Sequence, residues 1–246
     1  MGKVCAVVLA AGNGSRMGGE IAKQYRMLGD LPVICHTLAA FEQSVVNEVV
    51  LVVSPGMEEY AKNDILGKFS FSKVRDIVTG GRQRSDSVYA GICDLYKKIQ
   101  KKDWEDAVVL VHDGARPFVT PELIGRMVQG AKKEACAIPA VPVKDTIKQV
   151  RGGYVDATPE RSLLYSVQTP QAFLMPVLWE AYGKYYEDGM QLTDAGAVTD
   201  DAVLVERMLN KKVAVVEGDY YNIKLTTPED MIIARAFMER KGKEPG

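Results

Sequence analysis

The sequence is poor in the residues that build metal centres and covalent catalytic sites. Its 246 residues include two histidines and four cysteines, and no Cys-x-x-Cys pair occurs. This scarcity argues against a zinc site, a disulfide framework and a paired nucleophile and base. The cysteines fall in apolar segments, where we expect small buried side chains in a reducing cytoplasm. They are Cys5, Cys35, Cys93 and Cys136.

The chain also lacks a charge excess and a long hydrophobic run. Its 31 basic and 32 acidic residues are interleaved and give a net charge of -1, which argues against nucleic acid as a partner. The apolar run that begins at Val4 is too short to span a bilayer and is not followed by a signal-peptide cleavage pattern. The length allows one large α/β domain or two small ones. We predict a single cytoplasmic domain over residues 1–246, with no membrane partner.

Short β-branched runs alternate with segments of helical periodicity. The predicted strands cover residues 4–9, 48–53, 74–79, 107–112, 137–141 and 212–217. The predicted helices cover residues 32–41, 57–66, 85–98, 121–134, 176–187 and 228–241. This alternation predicts an α/β fold with a Rossmann-like, doubly wound and mostly parallel sheet. Ligands of such sheets bind beyond the carboxyl ends of the strands.

Residues 143–168 interrupt the alternation. Gly152 and Gly153 form a two-residue turn signal between two runs of β character, which predicts a hairpin. The segment is too polar to form a core of its own. We expect a protruding arm that packs on a second subunit, and the alternative is a surface hairpin folded onto its own chain.

A glycine-rich loop, residues 10–19, follows the first predicted strand. Its small residues let backbone N–H groups approach an anion, and Arg16 and Lys23 supply positive charge. The dinucleotide fingerprint fails because Met17 occupies its third glycine position, and the P-loop motif fails because Glu20 stands where its lysine belongs. The loop therefore predicts a polyphosphate cradle for phosphoryl or nucleotidyl transfer. An anionic phosphate nucleophile needs no general base, so positioning and charge neutralisation suffice.

This loop resembles the opening of the nucleotidyltransferases that make nucleotide sugars and nucleotide alcohols. Six further segments, in the same order, resemble the 2-C-methyl-D-erythritol 4-phosphate cytidylyltransferase family. They are GGRQRSDSV (80–88), HDGARP (112–117), DTIK (145–148), QTPQAF (168–173), TDDA (199–202) and YNIK (221–224). One departure is Gly114, where the family commonly has alanine.

The resemblance implies a sheet of the nucleotide-diphospho-sugar transferase type and a reaction of CTP with a polyol phosphate that releases pyrophosphate, in isoprenoid precursor biosynthesis. It further implies Mg²⁺ or another divalent cation, held mainly by the CTP phosphates. It also implies a homodimer in which the arm of one subunit completes the active site of the other.

The same resemblance assigns roles to individual residues. The implied catalytic residues are Arg16, Lys23, Arg161 and Lys224. The implied CTP contacts are Ala10, Ala11, Gly12, Gly14, Gly81, Ser87, Asp113 and Gly114. The implied contacts to the polyol phosphate are Arg116, Thr146, Arg161, Thr169, Thr193 and Lys224. Asp113 is also the candidate metal ligand.

Several alternatives stay open at this point. Asp113 and Thr193 have the residue types of helix N-caps, which would give them structural roles. Ribitol 5-phosphate cytidylyltransferase shares much of the motif set and the same chemistry. A nucleotide-binding homologue without turnover is the third alternative, although it would have little reason to keep Arg16, Lys23, Arg161 and Lys224 together.

Overall fold

A mixed eight-stranded sheet forms the centre of the protein in a computed structural model, which describes residues 2–12, 22–187 and 198–241. The strands are β1 (Val4–Ala10), β2 (Met27–Leu28), β3 (Leu31–Pro32), β4 (Glu48–Val53), β5 (Val74–Thr79), β6 (Val108–Asp113), β7 (Cys136–Pro142), β8 (Gln149–Arg151), β9 (Tyr154–Ala157), β10 (Tyr165–Val167), β11 (Gln171–Leu174) and β12 (Ala214–Glu217). The order in the sheet is β10-β7-β11-β6-β1-β4-β5, and β12 pairs with β7.

Parallel pairing dominates the part of the sheet that carries the candidate site. β1 pairs in parallel with β4 and β6, and β4 pairs in parallel with β5. β12 is parallel to β7, whereas β10 and β11 pair in antiparallel fashion. The carboxyl ends of β1, β4, β5 and β6 therefore meet at one edge.

Helices cover both faces of the sheet. They are α1 (Val33–Glu42), α2 (Glu58–Tyr60), which continues as a π-helical turn over Ala61–Leu66, α3 (Arg84–Lys98), α4 (Pro121–Glu134), α5 (Met175–Glu187), α6 (Asp201–Leu209) and α7 (Pro228–Lys241). Among the described residues, no helix is long and apolar enough to cross a bilayer.

The burial pattern of β1 shows why the predicted run is almost wholly apolar. Ala6 and Val8 pack into the core that holds α1 and α4, whereas Cys5 and Val7 pack into the core that holds α3, α5 and α6. Alternate side chains of a strand point to opposite faces, so a strand covered on both faces must be apolar at every position. The doubly wound, mostly parallel fold is confirmed.

The predicted boundaries hold well where periodicity is strong. β4 and β5 match their predictions at both ends, and α4 begins at Pro121 as its N1 residue. The prediction missed α6, β10 and β11, which are short. It also began the helix 32–41 one residue early, because Pro32 is the N-cap and pairs within the small β2–β3 sheet.

The arm contains the predicted hairpin. β8 and β9 pair in antiparallel fashion through a turn in which Gly152 and Gly153 have φ values of 58° and 84°. Positive φ at both central positions is what a tight hairpin turn of this kind requires. β10 lies within residues 143–168 but pairs with β7 of the main sheet, so the protruding part is shorter than predicted.

Candidate active site

A cavity of about 500 Å³ lies where the carboxyl ends of β1, β4, β5 and β6 meet. Its described lining contains several cationic side chains, a single carboxylate and no histidine. The lining residues are Leu9, Ala11, Gly12, Lys23, Gln24, Pro55, Gly80, Gly81, Arg82, Gln83, Arg84, Ser87, Asp113, Ala115 and Lys224. The cavity thus lies beyond the strand ends, the position at which the sequence predicted a ligand site.

Asp113, the last residue of β6, is the electrostatic centre of the cavity. Its carboxylate lies 2.8 Å from Lys224 Nζ, 3.4 Å from Arg84 Nε and 3.6 Å from Arg116 Nε. Burial alone would raise the pKa of Asp113, but the charges of Arg84, Lys224 and Arg116 outweigh it and hold the pKa far below its usual range. Asp113 is therefore an anion at any physiological pH.

Backbone contacts bring Lys224 to Asp113 although 110 residues separate them in the chain. Leu225 N donates to Ala115 O at 2.9 Å, and Arg116 Nη1 donates to Asn222 O at 2.8 Å. The segment that carries Lys224 thus runs along the loop that follows β6. The start of α7 holds it there, since Asp230 Oδ2 accepts hydrogen bonds from the backbone N–H groups of the two threonines just after it.

Arg84 is a cavity residue that the sequence reasoning missed. It is the first residue of α3, and it reaches from Asp113 to Asp201, whose Oδ2 lies 2.8 Å from Arg84 Nη2. Asp201 is fully buried and also accepts a 2.6 Å hydrogen bond from Tyr182 Oη. The signal was present, because Arg84 and Asp201 lie inside two of the motifs that carried the resemblance.

A neutral histidine supports Asp113 from behind. His112 is fully buried, and burial lowers its pKa to about 3. Thr169 Oγ1 lies 3.0 Å from His112 Nδ1 and accepts a 3.1 Å hydrogen bond from Asp113 N. The Thr169 hydroxyl and the His112 ring are thus engaged in fixing the end of β6.

The glycines beside the cavity are required by close packing. A Cβ on Gly80 would lie 2.6 Å from Ala11 Cβ, and Ser87 Oγ accepts a 3.2 Å hydrogen bond from Gly81 N. A Cβ on Gly114 would lie 2.6 Å from Ile34 Cδ1 and 2.8 Å from a main-chain oxygen. Gly114 therefore suits the packing here, although its family commonly has alanine.

The structure brings seven of the predicted site residues to the cavity. They are Ala11, Gly12, Lys23, Gly81, Ser87, Asp113 and Lys224. Four others adjoin it without lining it: Ala10, Gly114, Arg116 and Thr169. Thr146 and Arg161 lie on the arm and are exposed, so they do not meet the cavity of their own chain. Gly14, Arg16 and Thr193 lie outside the described residues.

The donor set fits a divalent cation only if another molecule supplies most of its ligands. No group of three or more His, Cys, Asp and Glu side chains that could hold a metal occurs in the described part of the chain. Asp113 is the only carboxylate in the described lining. Mg²⁺ is often held by one or two carboxylates together with substrate phosphates, and this arrangement matches Asp113.

Lysine and arginine side chains surround the pocket at the strand ends of a doubly wound sheet, and this arrangement suits a nucleotidyltransferase, whose chemistry depends mainly on positioning and charge neutralisation. A family model for 2-C-methyl-D-erythritol 4-phosphate cytidylyltransferase matches residues 4–240. The chain belongs to the 2-C-methyl-D-erythritol 4-phosphate cytidylyltransferase family.

Individual relatives agree over nearly the whole chain. Proteins of that name from Alkaliphilus metalliredigens and Geobacter metallireducens are 47% and 43% identical, and each alignment covers 97% of this chain and 94% or 98% of the relative. The crystal structure of 4-diphosphocytidyl-2C-methyl-D-erythritol synthase from Anaerococcus prevotii is 33% identical, with a TM-score of 0.79 and 97% of both chains covered. The predicted family is confirmed.

Proposed function

We propose that this chain transfers CMP from CTP to 2-C-methyl-D-erythritol 4-phosphate, giving 4-diphosphocytidyl-2-C-methyl-D-erythritol and pyrophosphate. The observation that carries the proposal is the convergence of Lys23, Arg84 and Lys224 on a cavity whose described lining holds one carboxylate. Such a cavity suits a substrate with several phosphate charges.

The chemistry follows from the charges. An oxygen of the alcohol phosphate bonds to the α-phosphorus of CTP, and the bond from that phosphorus to the bridging oxygen breaks, so pyrophosphate leaves with the electron pair. The attacking oxygen is already anionic, which is why the buried, neutral His112 is not needed as a base. Lys23 and Lys224 are placed to neutralise charge on the phosphates as the new bond forms.

In this scheme Lys224 exchanges its ionic partner, Asp113, for a substrate phosphate. Its ammonium lies 2.8 Å from the Asp113 carboxylate. When a substrate phosphate binds, Lys224 turns toward it, and Asp113 keeps Arg84 and Arg116 as counter-charges. Asp113 then has an oxygen to offer the ribose or a divalent cation. Such a cation, when bound, neutralises part of the triphosphate charge.

The nucleotide is proposed to lie along Ala10, Ala11, Gly12, Gly14, Gly81 and Ser87, and to meet Gly114 through the main chain. Arg16 is proposed to bind the phosphates together with Lys23. Thr169 and Arg116, which the resemblance assigned to the alcohol phosphate, both contact Asp113, and they remain proposed contacts to that substrate together with Thr193.

The arm is proposed to complete the site of a second copy. Thr146 and Arg161 are exposed on the arm, and Arg161 Nη1 donates a hydrogen bond to Lys144 O at 3.3 Å. The arm also exposes apolar side chains, among them Tyr154 and Leu163 at 82% and 74%. Burial of that surface against another subunit would favour a homodimer. A reducing cytoplasm is the compartment we propose, since all four cysteines are free thiols.

A substrate panel tests the reaction. Pyrophosphate release is measured with CTP and Mg²⁺ and with 2-C-methyl-D-erythritol 4-phosphate or ribitol 5-phosphate offered separately. We expect release with the first alcohol phosphate, much less with the second, and little when UTP or ATP replaces CTP. Faster turnover of ribitol 5-phosphate, or no release with either alcohol, contradicts the proposal.

A mixing experiment tests the shared site. Lys23→Ala damages the pocket and Arg161→Ala damages the arm. If each site combines the pocket of one chain with the arm of another, a mixed dimer contains one intact site. The assay uses an alcohol-phosphate concentration well below its KM, where Arg161→Ala as well as Lys23→Ala is slow. Unfolding and refolding the two variants together should then restore about a quarter of wild-type activity, since half of the dimers are mixed and each has one of two sites intact. No recovery above the separate variants would show that the arm serves its own chain.

A further inference from the structure

A single buried side chain, Gln24, holds the first residues of the glycine-rich loop. Gln24 Nε2 donates to Ala10 O at 2.6 Å and to Gly12 O at 3.1 Å. Only 2% of Gln24 is exposed. A side-chain amide has two hydrogens to donate, and here both go to the main chain on either side of Ala11.

The carbonyl between these two is held from β4. Ser54, the residue after that strand, donates its hydroxyl to Ala11 O at 2.9 Å. The three successive carbonyls of residues 10–12 are therefore each bonded to a side chain. Because a peptide unit is planar, fixing a carbonyl fixes the whole unit, including its N–H. This wall of the cavity has its conformation set by Gln24 and Ser54.

Gln24 also fixes the backbone beside it. It is the middle residue of a 3-10 turn, Lys23–Tyr25, whose last residue is buried and donates its N–H to Ala22 O at 2.9 Å. Lys23 precedes Gln24 directly and lines the same cavity. The Gln24 side chain thus fixes the distance between residues 10–12, in the wall of the cavity, and the backbone of Lys23.

We propose that Gln24 is a positioning residue for the nucleotide half of the reaction, an inference that rests on the proposed function. Gln24 acts through the main chain of Ala10 and Gly12 and through the placement of Lys23. The segment that carries Lys224 is held by other contacts, from Ala115 and Arg116. Loss of Gln24 should therefore weaken the use of CTP and leave the use of the alcohol phosphate nearly unchanged.

Two substitutions of Gln24 distinguish a role in positioning the CTP site from a general contribution to the stability of the fold. Gln24→Met keeps the volume but donates to neither carbonyl, and we expect the KM for CTP to rise about tenfold. Gln24→Glu places a carboxylate against two carbonyl oxygens and should be worse at pH 8. As the pH falls, the introduced carboxyl takes up a proton and regains one hydrogen-bond donor. The KM of Gln24→Glu for CTP should then fall toward that of Gln24→Met, when the KM of each variant is divided by the wild-type KM at the same pH.

Asn47→Ala is the matched control. Asn47 Oδ1 accepts from Val4 N at 2.8 Å and so holds the other end of β1. This variant should lose some stability and keep both Michaelis constants within about twofold of wild type. Ser54→Ala is the milder second variant for the wall, and it should raise the KM for CTP by roughly two- to fivefold.

Each outcome decides the matter. Steady-state KM and kcat are measured for both substrates, and CTP binding is measured by calorimetry on variants shown by circular dichroism to be folded. A selective rise in the KM and Kd for CTP supports the proposal. An unchanged KM for CTP, or an equal rise for both substrates, in folded Gln24→Met overturns it. Should the Gln24 variants not fold, an unchanged KM for CTP in Ser54→Ala overturns it. Failure of the proposed function is a separate result, since the wild type would then release no pyrophosphate.

Discussion

In the pocket, Asp113 is buried and is surrounded by three cations of its own chain, whereas on the arm Arg151 and Asp156 form an ion pair that is 86% and 48% exposed. Both regions are rich in charge, but the surrounding dielectric differs. A pair in water gains little because each ion is already well solvated, and a buried group cannot lose a partner without leaving an uncompensated charge.

The apolar residues divide in the same way. β6 leads to the pocket and is buried at every position, whereas the hairpin strands β8 and β9 are exposed at every position. The pocket is therefore stabilised by contacts within one chain. The hairpin of the arm buries no side chains of its own. Any contribution of its exposed side chains to function therefore depends on their contact with another surface.

The largest expected effect comes from Arg84→Met, which removes the cation paired with the fully buried Asp201 and leaves the neutral Tyr182 hydroxyl as its side-chain donor among the described residues. We expect the free energy of unfolding in urea to fall by about 3–5 kcal/mol. Arg151→Met, the matched change on the arm, should have no measurable effect. Equal losses in the two variants would show that the pocket and the arm do not differ as described.

Lys23→Ala tests the pocket for catalysis rather than stability. Lys23 lines the cavity, and loss of one preorganised charge should raise the barrier by about 2–4 kcal/mol, seen as a fall in kcat of roughly 30-fold to 1,000-fold. The melting temperature should change little. Lys68→Ala, which removes an exposed lysine paired with Asp64 outside the cavity, is the control and should retain wild-type turnover. A Lys23→Ala protein that turns over normally contradicts the assignment.

The pH dependence of stability should come from His112, the buried residue next to Asp113 of the pocket. Folded His112 has a pKa of about 3, below the value of about 6.5 expected in the unfolded chain. The unfolded state therefore binds the extra proton between these values, and the free energy of unfolding falls as the pH drops below about 6.5. For one such group we expect a loss of about 2 kcal/mol between pH 7 and pH 5.

His112→Gln should flatten this part of the curve. The glutamine can donate to Arg116 O, as His112 Nε2 does at 3.4 Å, and can accept from Thr169. The arm offers no counterpart, since residues 144–167 contain no buried side chain. A slope between pH 7 and pH 5 that is as steep in His112→Gln as in the wild type would assign the titration to another group.

Sequence periodicity predicted the sheet and the edge at which the site lies, because β-branched runs such as residues 48–53 and 74–79 mark strands by composition alone. It also pointed to Asp113, which directly follows the predicted strand 107–112. It could not predict that Arg84, Asp113 and Asp201 meet, because their contact depends on where two helices begin relative to a strand end. For the arm the situation is reversed. Two glycines were enough to predict its hairpin, but the local sequence does not specify what the hairpin contacts.

Arg161→Ala carries the smallest expected effect and bears most directly on the arm. Arg161 is exposed, so its loss should leave stability unchanged. If it binds the phosphate of the alcohol substrate, the KM for that substrate should rise about tenfold, the scale of one charge-assisted hydrogen bond, while the KM for CTP stays within about twofold. Arg151→Ala, on the same arm, should alter neither constant. Equal weakening of both substrates by Arg161→Ala would instead place Arg161 at the nucleotide, and the division of the site into a nucleotide pocket and an alcohol-binding arm would then be wrong.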